Sequence, residues 1–159
     1  MEQQSVSATF YLDSSALVKR YAIETGTEWI QTLCDQPNRV IAVALVGIVE
    51  VAAAVAGKVR GKVVDQALGD VILSSLKADA ATQYTLLDVS QYVVDEAVEL
   101  TRRHRLRGYD AVHLASALRL NRALINHRLS PLTLVAADDD LLEAAQAEGL
   151  ATENPNHHP

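Results

Sequence analysis

The stretch Phe10-Tyr11-Leu12-Asp13-Ser14-Ser15-Ala16-Leu17 decides the predicted fold. Its apolar first half is typical of a β-strand, and the two serines after Asp13 are residues that often open a helix. Asp13 therefore stands where an early strand ends and a helix begins. In an open α/β sheet, ligands bind at the carboxyl ends of the strands. The same place suits an N-cap aspartate, so capping and ligand binding are both open for Asp13 at this point.

The rest of the chain alternates strand-like and helix-like segments without a linker. Strands are predicted over about residues 8–12, 39–44, 84–89 and 132–136. Helices are predicted over about residues 14–22, 28–35, 45–58, 62–81, 93–104, 109–125 and 139–146. This alternation predicts a three-layer α/β fold, in which a parallel sheet of about four to five strands is covered by helices on both faces. We expect one domain over residues 1–153 and a frayed tail over residues 154–159.

Length, composition and charge limit the class of protein. The chain has 159 residues, which suits one domain with a buried core. Its formal net charge of −6 argues against binding of nucleic acid through bulk positive charge, although local basic patches remain possible. A single cysteine, Cys34, fits a reducing compartment, so we expect a cytoplasmic protein. Residues 41–57 are apolar apart from Glu50, but this run is too short to span a bilayer, and no membrane partner is expected.

Most of the 20 acidic residues fall on predicted polar helix faces, but a few do not. Glu50 lies among small and apolar neighbours in a predicted buried helix, where a charge needs a cationic partner or a metal ion. Asp110 falls in the first turn of another apolar helix, where capping is an equal explanation. Asp138 follows the last predicted strand, whereas Asp139 and Asp140 suit the start of the final helix.

Together with Asp13, these acids predict one site at the carboxyl edge of the sheet. Four carboxylates brought together repel one another and raise one another's pKa unless a cation neutralises them. Oxygen ligands without cysteine or a paired-histidine motif favour Mg²⁺ or Mn²⁺ over zinc. Such a site suits hydrolysis of a phosphodiester bond by metal-activated water.

The chain resembles the PIN-domain ribonucleases, and among them the VapC-type toxins of prokaryotic type II toxin–antitoxin pairs. Four blocks in order carry the resemblance: residues 11–19 (YLDSSALVK), Glu50 in its apolar helix, residues 109–115 (YDAVHLA) and residues 134–138 (LVAAD). It implies a three-layer PIN-like fold and a Mg²⁺- or Mn²⁺-dependent endoribonuclease. It further implies an RNA substrate, a cognate antitoxin that covers the acidic cleft, and a homodimer.

The resemblance also implies roles for individual residues. Asp13 and Asp110 match the firmest metal ligands, Glu50 matches a ligand or the group that orients the attacking water, and Asp138 matches a ligand held directly or through water. All four are thus candidate catalytic residues, and Ser15 matches a hydroxyl that supports the site. The family usually has Thr or Ser two positions before the fourth acid, where this chain has Ala136. Asp140 is the reserve candidate for that corner.

Basic residues near the predicted site are candidates for holding an RNA backbone. They are Lys19, Arg102, Arg103, Arg105 and Arg107. Glu99 lies one helical turn from Arg102 and Arg103 and offers them an ion-pair partner instead. His113 lies one turn beyond Asp110, and we expect it to be a hydrogen-bonded core histidine.

Two other functions fit parts of the sequence. A non-catalytic RNA-binding PIN domain is suggested by Ala136 and by the crowded acids at 138–140. A receiver-type phosphoacceptor domain also binds Mg²⁺ through clustered aspartates. It needs an acid pair at the first strand and a lysine near the last, whereas this chain has one acid at the first strand and no lysine beyond Lys77.

Overall fold

The alternating segments fold into a fully parallel five-stranded sheet with helices on both faces. The computed structural model describes residues 6–159. The strands are β1 (Ala8–Leu12), β2 (Arg39–Ala44), β3 (Tyr84–Leu87), β4 (Thr133–Val135) and β5 (Ala151–Glu153). Their order in the sheet is β3-β2-β1-β4-β5, and every neighbouring pair is parallel. The predicted fold class is confirmed.

This strand order decides against one of the alternative functions. Receiver domains have the order 2-1-3-4-5, whereas the order here is 3-2-1-4-5. The receiver-type alternative is therefore wrong. The observed order reverses direction at β1, because β2 lies on one side of it and β4 on the other. The crevice beyond the carboxyl ends of β1 and β4 is thus the place where an α/β sheet of this kind binds ligands.

Seven helices cover the sheet in the described part of the chain. They are α1 (Ser14–Leu17), α2 (Thr27–Asp35), α3 (Leu45–Arg60), α4 (Gln66–Thr82), α5 (Gln91–Arg103), α6 (Gly108–Asn126) and α7 (Asp139–Ala147). A short 3-10 helix, Val18–Arg20, continues α1, and another, Pro155–His157, ends the chain. Four helices begin at a side chain that accepts a backbone N–H three residues on: Asp13, Asp65, Ser90 and Asp138. Over residues 6–159, no helix is long and apolar enough to cross a bilayer.

Alternating side chains divide the core between the two faces of the sheet. Tyr11 of β1 faces the layer formed by α5, α6 and α7, together with Ala42 and Ala44 of β2. Leu12, the next residue, faces α1, α2, α3 and α4. The two apolar clusters hold the helical layers in place and leave the carboxyl edge of the sheet to polar side chains.

One helix start and one short strand differ from the prediction for identifiable reasons. Helix α4 begins at Gln66 and not near residue 62, because Lys62 adopts a positive φ of 58° and the side chain of Asp65 then caps the helix. Strand β5 was not predicted, because its three residues, Ala-Thr-Glu, carry no apolar pattern.

The prediction of a frayed tail at residues 154–159 is wrong. Asn154 and Pro155 are buried, and Trp29 of α2 stacks on His158 with ring centroids 4.4 Å apart. Gly26, just before α2, has a φ of 88° and lies against Pro155. The terminal segment therefore belongs to the domain. Residues 1–5 of the predicted domain range lie outside the described residues.

We expect Gly26→Ala to destabilise the protein by about 2 kcal/mol, because alanine is strained at this φ and its Cβ would lie 2.4 Å from the Pro155 carbonyl oxygen. Urea unfolding measures the change. Gly57→Ala is the control, because its Cβ meets nothing closer than the Arg60 guanidinium at 3.9 Å and alanine favours a helix. Equal stability of the two variants would contradict the docking of the C-terminal segment.

Candidate functional site

A cavity of about 610 Å³ opens at the carboxyl edge of the sheet. The four acids singled out from the sequence all line it: Asp13, Glu50, Asp110 and Asp138. They come from four parts of the fold: the end of β1, the second turn of α3, the first turn of α6 and the cap of α7. The structure therefore brings together the acids that the sequence analysis grouped, and Ser15 and Arg107 lie beside them.

Asp13 is the most deeply buried of the four, with 2% of its surface exposed. The Ser15 hydroxyl lies 2.7 Å from Oδ1 and 2.9 Å from Oδ2, and the Ala16 N–H donates to Oδ1 at 3.0 Å. No basic side chain of residues 6–159 forms an ion pair with Asp13. Burial raises the pKa of Asp13 to about 6, against the lowering effects of His113 and of the Ser15 and Ala16 hydrogen bonds. Asp13 is thus both an N-cap and a carboxylate without a cationic partner.

Ser15 joins the two loops that follow the central strands. Its hydroxyl oxygen accepts the Ala137 N–H at 2.9 Å, in the loop after β4. The Asp13 N–H in turn donates to the Val135 carbonyl at 3.2 Å. The residue before this loop, Ala136, is buried in the core and has no hydroxyl. In this chain the hydroxyl that holds the loop near the acids therefore comes from Ser15.

Glu50 is held by a histidine and not by lysine or arginine. Its Oε1 lies 2.5 Å from Nε2 of His113, and Nδ1 of the same ring lies 2.7 Å from the Tyr11 hydroxyl. His113 is buried and hydrogen-bonded, as expected, but the sequence analysis missed its link to a site acid. The spacing of three residues between Asp110 and His113 could have indicated this link, because it places both side chains on one side of α6. Burial also raises the pKa of Tyr11 well above its usual range.

Arg107 bridges the other two acids. Its Nε lies 3.3 Å from Asp110 Oδ2, and its Nη2 lies 3.4 Å from Asp138 Oδ2. The Arg107 side chain is 83% exposed, so these contacts are screened by solvent. The second oxygen of Asp138 accepts the Leu141 N–H at 2.9 Å and caps α7. The guanidinium thus joins two of the four acids at the mouth of the cavity.

Asp140 does not complete this site. It is exposed and lines a separate cavity of about 400 Å³, together with Arg103 and Arg105. Its reserve role is therefore corrected, and Asp138 occupies the fourth corner. The reason is local, because Asp138 precedes α7 as its cap, whereas Asp140 lies within the first turn and points elsewhere.

The RNA-binding role predicted for Lys19 is also corrected. Its ammonium group lies 3.1 Å from a Glu24 carboxylate oxygen and 2.9 Å from the Thr25 carbonyl oxygen. Only 6% of its side chain is exposed. Lys19 therefore stabilises the turn between the first two helices and presents no surface to a polyanion.

The arginines before α6 have different surroundings. Arg102 pairs with Glu99 at 3.4 Å, as its spacing allowed, and Arg103 pairs with Glu148 at 2.8 Å. Arg105 is exposed and forms no ion pair with any side chain of the described chain. The fourth arginine is the one that bridges the acids. RNA contact remains a prediction for these four arginines. The two that directly precede α6, Arg105 and Arg107, are the better placed to make it, because both are exposed.

The donor set fits a hydrated Mg²⁺ or Mn²⁺. It consists of carboxylate oxygens, and Mg²⁺ is usually held by one or two carboxylates with several waters. Asp13 supplies a buried charge that needs a cation; burial is the main cause of its raised pKa, and the neighbouring Asp110 adds a smaller contribution. Between residues 6 and 159, no three potential ligands stand close enough together to hold an ion as they are now placed. Waters would therefore provide most of the coordination.

Comparison with known proteins gives relatives in sequence and in fold. No family model matches the chain. Ribonuclease VapC45 of Mycobacterium tuberculosis strain CDC 1551 and ribonuclease VapC49 of strain H37Rv are each 37% identical to it over 109 residues, which are 68% of this chain and 74% of theirs.

Solved structures share the fold at lower identity. PAE2754 from Pyrobaculum aerophilum has a TM-score of 0.64 and 18% identity, covering 96% of this chain and 93% of its own. A toxin–antitoxin complex from Klebsiella pneumoniae has a TM-score of 0.56 and 19% identity, with coverage of 94% and 98%. VapC20 of Mycobacterium tuberculosis, a toxin that cleaves the sarcin–ricin loop, has a TM-score of 0.60 and 16% identity, with coverage of 89% and 96%.

We expect Asp13→Asn to stabilise the metal-free protein at pH 8, because asparagine keeps the cap and removes a buried charge. The pKa of Asp13 is raised from 3.8 to about 6, so the folded wild type loses stability relative to the variant as pH rises from about 4 to about 6. The full difference is up to about 3 kcal/mol. Urea unfolding in EDTA at a series of pH values measures it.

Asp65→Asn provides the matched control for this prediction. Asp65 caps α4 through the Leu68 N–H at 2.8 Å, but it is exposed. We expect Asp65→Asn to match wild type in stability at pH 8, because asparagine is as good an N-cap as aspartate. A loss of stability in Asp13→Asn at pH 8, larger than that in Asp65→Asn, would mean that capping outweighs the buried charge.

Proposed function

The chain belongs to the VapC family of PIN-domain ribonucleases, and we propose that it is a Mg²⁺-dependent endoribonuclease that acts as the toxin of a type II toxin–antitoxin pair. The observation that carries the proposal is the convergence of four carboxylates in one cavity, where the most buried, Asp13, has no basic partner among residues 6–159. The 37% identical relatives are both named ribonucleases, which supports an activity on RNA.

Asp13 and Asp110 are the proposed metal ligands, and Glu50 and Asp138 would hold waters of the ion or bind it directly. A bound Mg²⁺ or Mn²⁺ supplies a more acidic water and positive charge beside the scissile phosphate. Asp13 is ready for this role above about pH 6, where it is ionised despite its burial. Ser15 keeps the Asp13 carboxylate in one orientation through its bonds to both oxygens.

Glu50 is the proposed acceptor of the proton from the attacking water. Its carboxylate lines the cavity on one side and is bonded to His113 on the other. One oxygen is therefore fixed, and the group faces the substrate in a single orientation. A carboxylate held in this way suits general base catalysis, which requires a proton acceptor within hydrogen-bond reach of the water.

Arg107 is the proposed contact to the RNA backbone. Its contacts to Asp110 and Asp138 are long, and its side chain is exposed, so leaving the acids has a small free-energy cost. A guanidinium can donate two parallel hydrogen bonds to a phosphate. RNA entering the cavity would therefore draw Arg107 away from the acids and leave them to the metal ion.

An antitoxin and a second copy of the chain are the proposed protein partners. The fold is shared with a toxin–antitoxin complex, which supports the first. Large apolar side chains are exposed on both helical layers and offer surface to protein partners: Val49 of α3 and Val71 of α4 on one layer, and Tyr92 and Val98 of α5 on the other. We propose a cytoplasmic site of action. The chain's single cysteine, Cys34, cannot form an internal disulfide, which suits a reducing environment. Burial raises its thiol pKa to about 11.

A non-catalytic RNA-binding domain is the second candidate function. The observation that favours it is the position of Arg107, which pairs with two of the acids, while no three acids of the described residues stand close enough together to hold a metal ion. Such a protein would bind RNA and metal without cleaving the chain. A cleavage assay therefore separates the two functions.

We expect the purified protein to cleave RNA in Mg²⁺ or Mn²⁺ and to lose cleavage in EDTA. Asp13→Asn and Asp110→Asn should each lower the cleavage rate at least about 100-fold, because each removes charge from the metal site. Gel assays on a panel of RNAs, including total cellular RNA, measure the rate. Asp140→Asn is the control, because that acid lies outside the cavity, and we expect it to cleave like wild type.

Two results would count against the proposed function. Wild-type rates in both Asp13→Asn and Asp110→Asn would exclude catalysis by this cavity. Tight binding of RNA by the wild type, with no cleavage of any RNA in the panel in either metal, would favour the non-catalytic function.

A further inference from the structure

His113 is a fully buried histidine whose two ring nitrogens both have hydrogen-bond partners. Only 1% of its surface is exposed. Its Nε2 lies 2.5 Å from Glu50 Oε1, and its Nδ1 lies 2.7 Å from the Tyr11 hydroxyl. The three residues belong to α6, α3 and β1, so one side chain connects three elements of the site. Neither His113 nor Tyr11 lines the acidic cavity.

The chemistry of the partners decides where the protons lie. An ionised carboxylate only accepts hydrogen bonds, so Nε2 of His113 must donate to Glu50. In the neutral ring, Nδ1 is then an acceptor, and the Tyr11 hydroxyl donates to it. The carboxylate therefore selects the tautomer with the N–H on Nε2, and the Tyr11 hydroxyl satisfies the remaining ring nitrogen and holds the ring in place. Reversing this order would leave two acceptors facing each other at 2.5 Å.

The helix that carries Glu50 makes room for the imidazole. Gly47 lies three residues before Glu50, on the same side of α3. A Cβ at position 47 would lie 3.3 Å from Cε1 of His113 and 3.2 Å from a methyl carbon of Val43. Both distances are tight, and glycine inside a helix is otherwise destabilising relative to alanine. The close approach of the His113 ring to α3 therefore explains why a glycine occupies position 47.

We propose that His113 and Tyr11 are positioning residues that hold the Glu50 carboxylate in its working orientation. The role rests on the proposed function, because it assumes that Glu50 acts on water or metal in the cavity. Tyr11 orients the ring, the ring fixes one oxygen of Glu50, and the other oxygen remains for the cavity. Removing a residue that hydrogen-bonds to a metal ligand typically lowers metal affinity or activity by about 10–100-fold.

Three substitutions separate positioning from simple packing. His113→Leu removes both hydrogen bonds, His113→Gln restores a donor towards Glu50, and Tyr11→Phe removes only the hydroxyl. We expect His113→Leu to lower kcat about 10–100-fold with an unchanged KM for RNA, and to weaken Mn²⁺ binding in calorimetry by a similar factor. His113→Gln should recover part of both losses, and Tyr11→Phe should lose roughly tenfold or less.

His127→Leu is the control, because His127 is an exposed histidine at the end of the same helix. We expect it to match wild type in kcat and in Mn²⁺ affinity. If His113→Leu does not fold, His113→Gln and Tyr11→Phe carry the test. Folded His113 and Tyr11 variants with wild-type kcat and wild-type Mn²⁺ affinity would overturn the positioning role.

Nitrogen-15 NMR of the imidazole distinguishes failure of this role from failure of the proposed function. We expect the Nε2 resonance of His113 to move in Glu50→Gln and the Nδ1 resonance to move in Tyr11→Phe, whether or not RNA is cleaved. Absence of both shifts would overturn the positioning role. If both resonances move in these variants but the wild type cleaves no RNA, the proposed function is overturned and the hydrogen-bonded chain is established.

Discussion

The burial of carboxylates in one cavity, above all that of Asp13, is the constraint on which the rest of this site depends. Desolvation makes the ionised form of a buried carboxylate costly, and a neighbouring acid adds to that cost. Each acid meets the constraint differently. Ser15 and a backbone N–H support Asp13, His113 supports Glu50, and Arg107 lies between the remaining two. Asp13 alone has no basic neighbour bonded to it in the described chain, and its burial raises its pKa to about 6.

Three elements of the fold each hold one acid close in sequence to a residue of the contact around His113. On β1, Tyr11 precedes Asp13 by two residues, which is the repeat of a strand. On α3 and α6, Gly47 precedes Glu50 by three residues and His113 follows Asp110 by three, which is about one helical turn. Each element therefore contributes an acid to the cavity and a second residue to the layer behind it. Because β1 lies between β2 and β4, these layers meet at the reversal point of the sheet.

Local sequence patterns predicted the fold and the four acids, because strand ends, helix starts and apolar helix faces are properties of neighbouring residues. Contacts between distant residues were not predictable in this way. The partners of Glu50 and Ser15 lie 63 and 122 residues away. The burial of Lys19 depends on a turn, and the order of the last residues depends on Pro155 meeting Gly26. Patterns that identify an acid as unusual therefore do not identify the side chain that will neutralise it.

The central proposal is that this acidic cavity binds a divalent cation, and that Arg107 pairs with two of its acids when no ion is bound. A crystal structure of the wild-type protein soaked in Mn²⁺, with anomalous diffraction recorded for manganese, tests it most directly. The account predicts an anomalous peak against the Asp13 and Asp110 carboxylates, with the Arg107 guanidinium moved off both of its acids. A cavity without manganese at saturating concentration, with Arg107 still between Asp110 and Asp138, would contradict it.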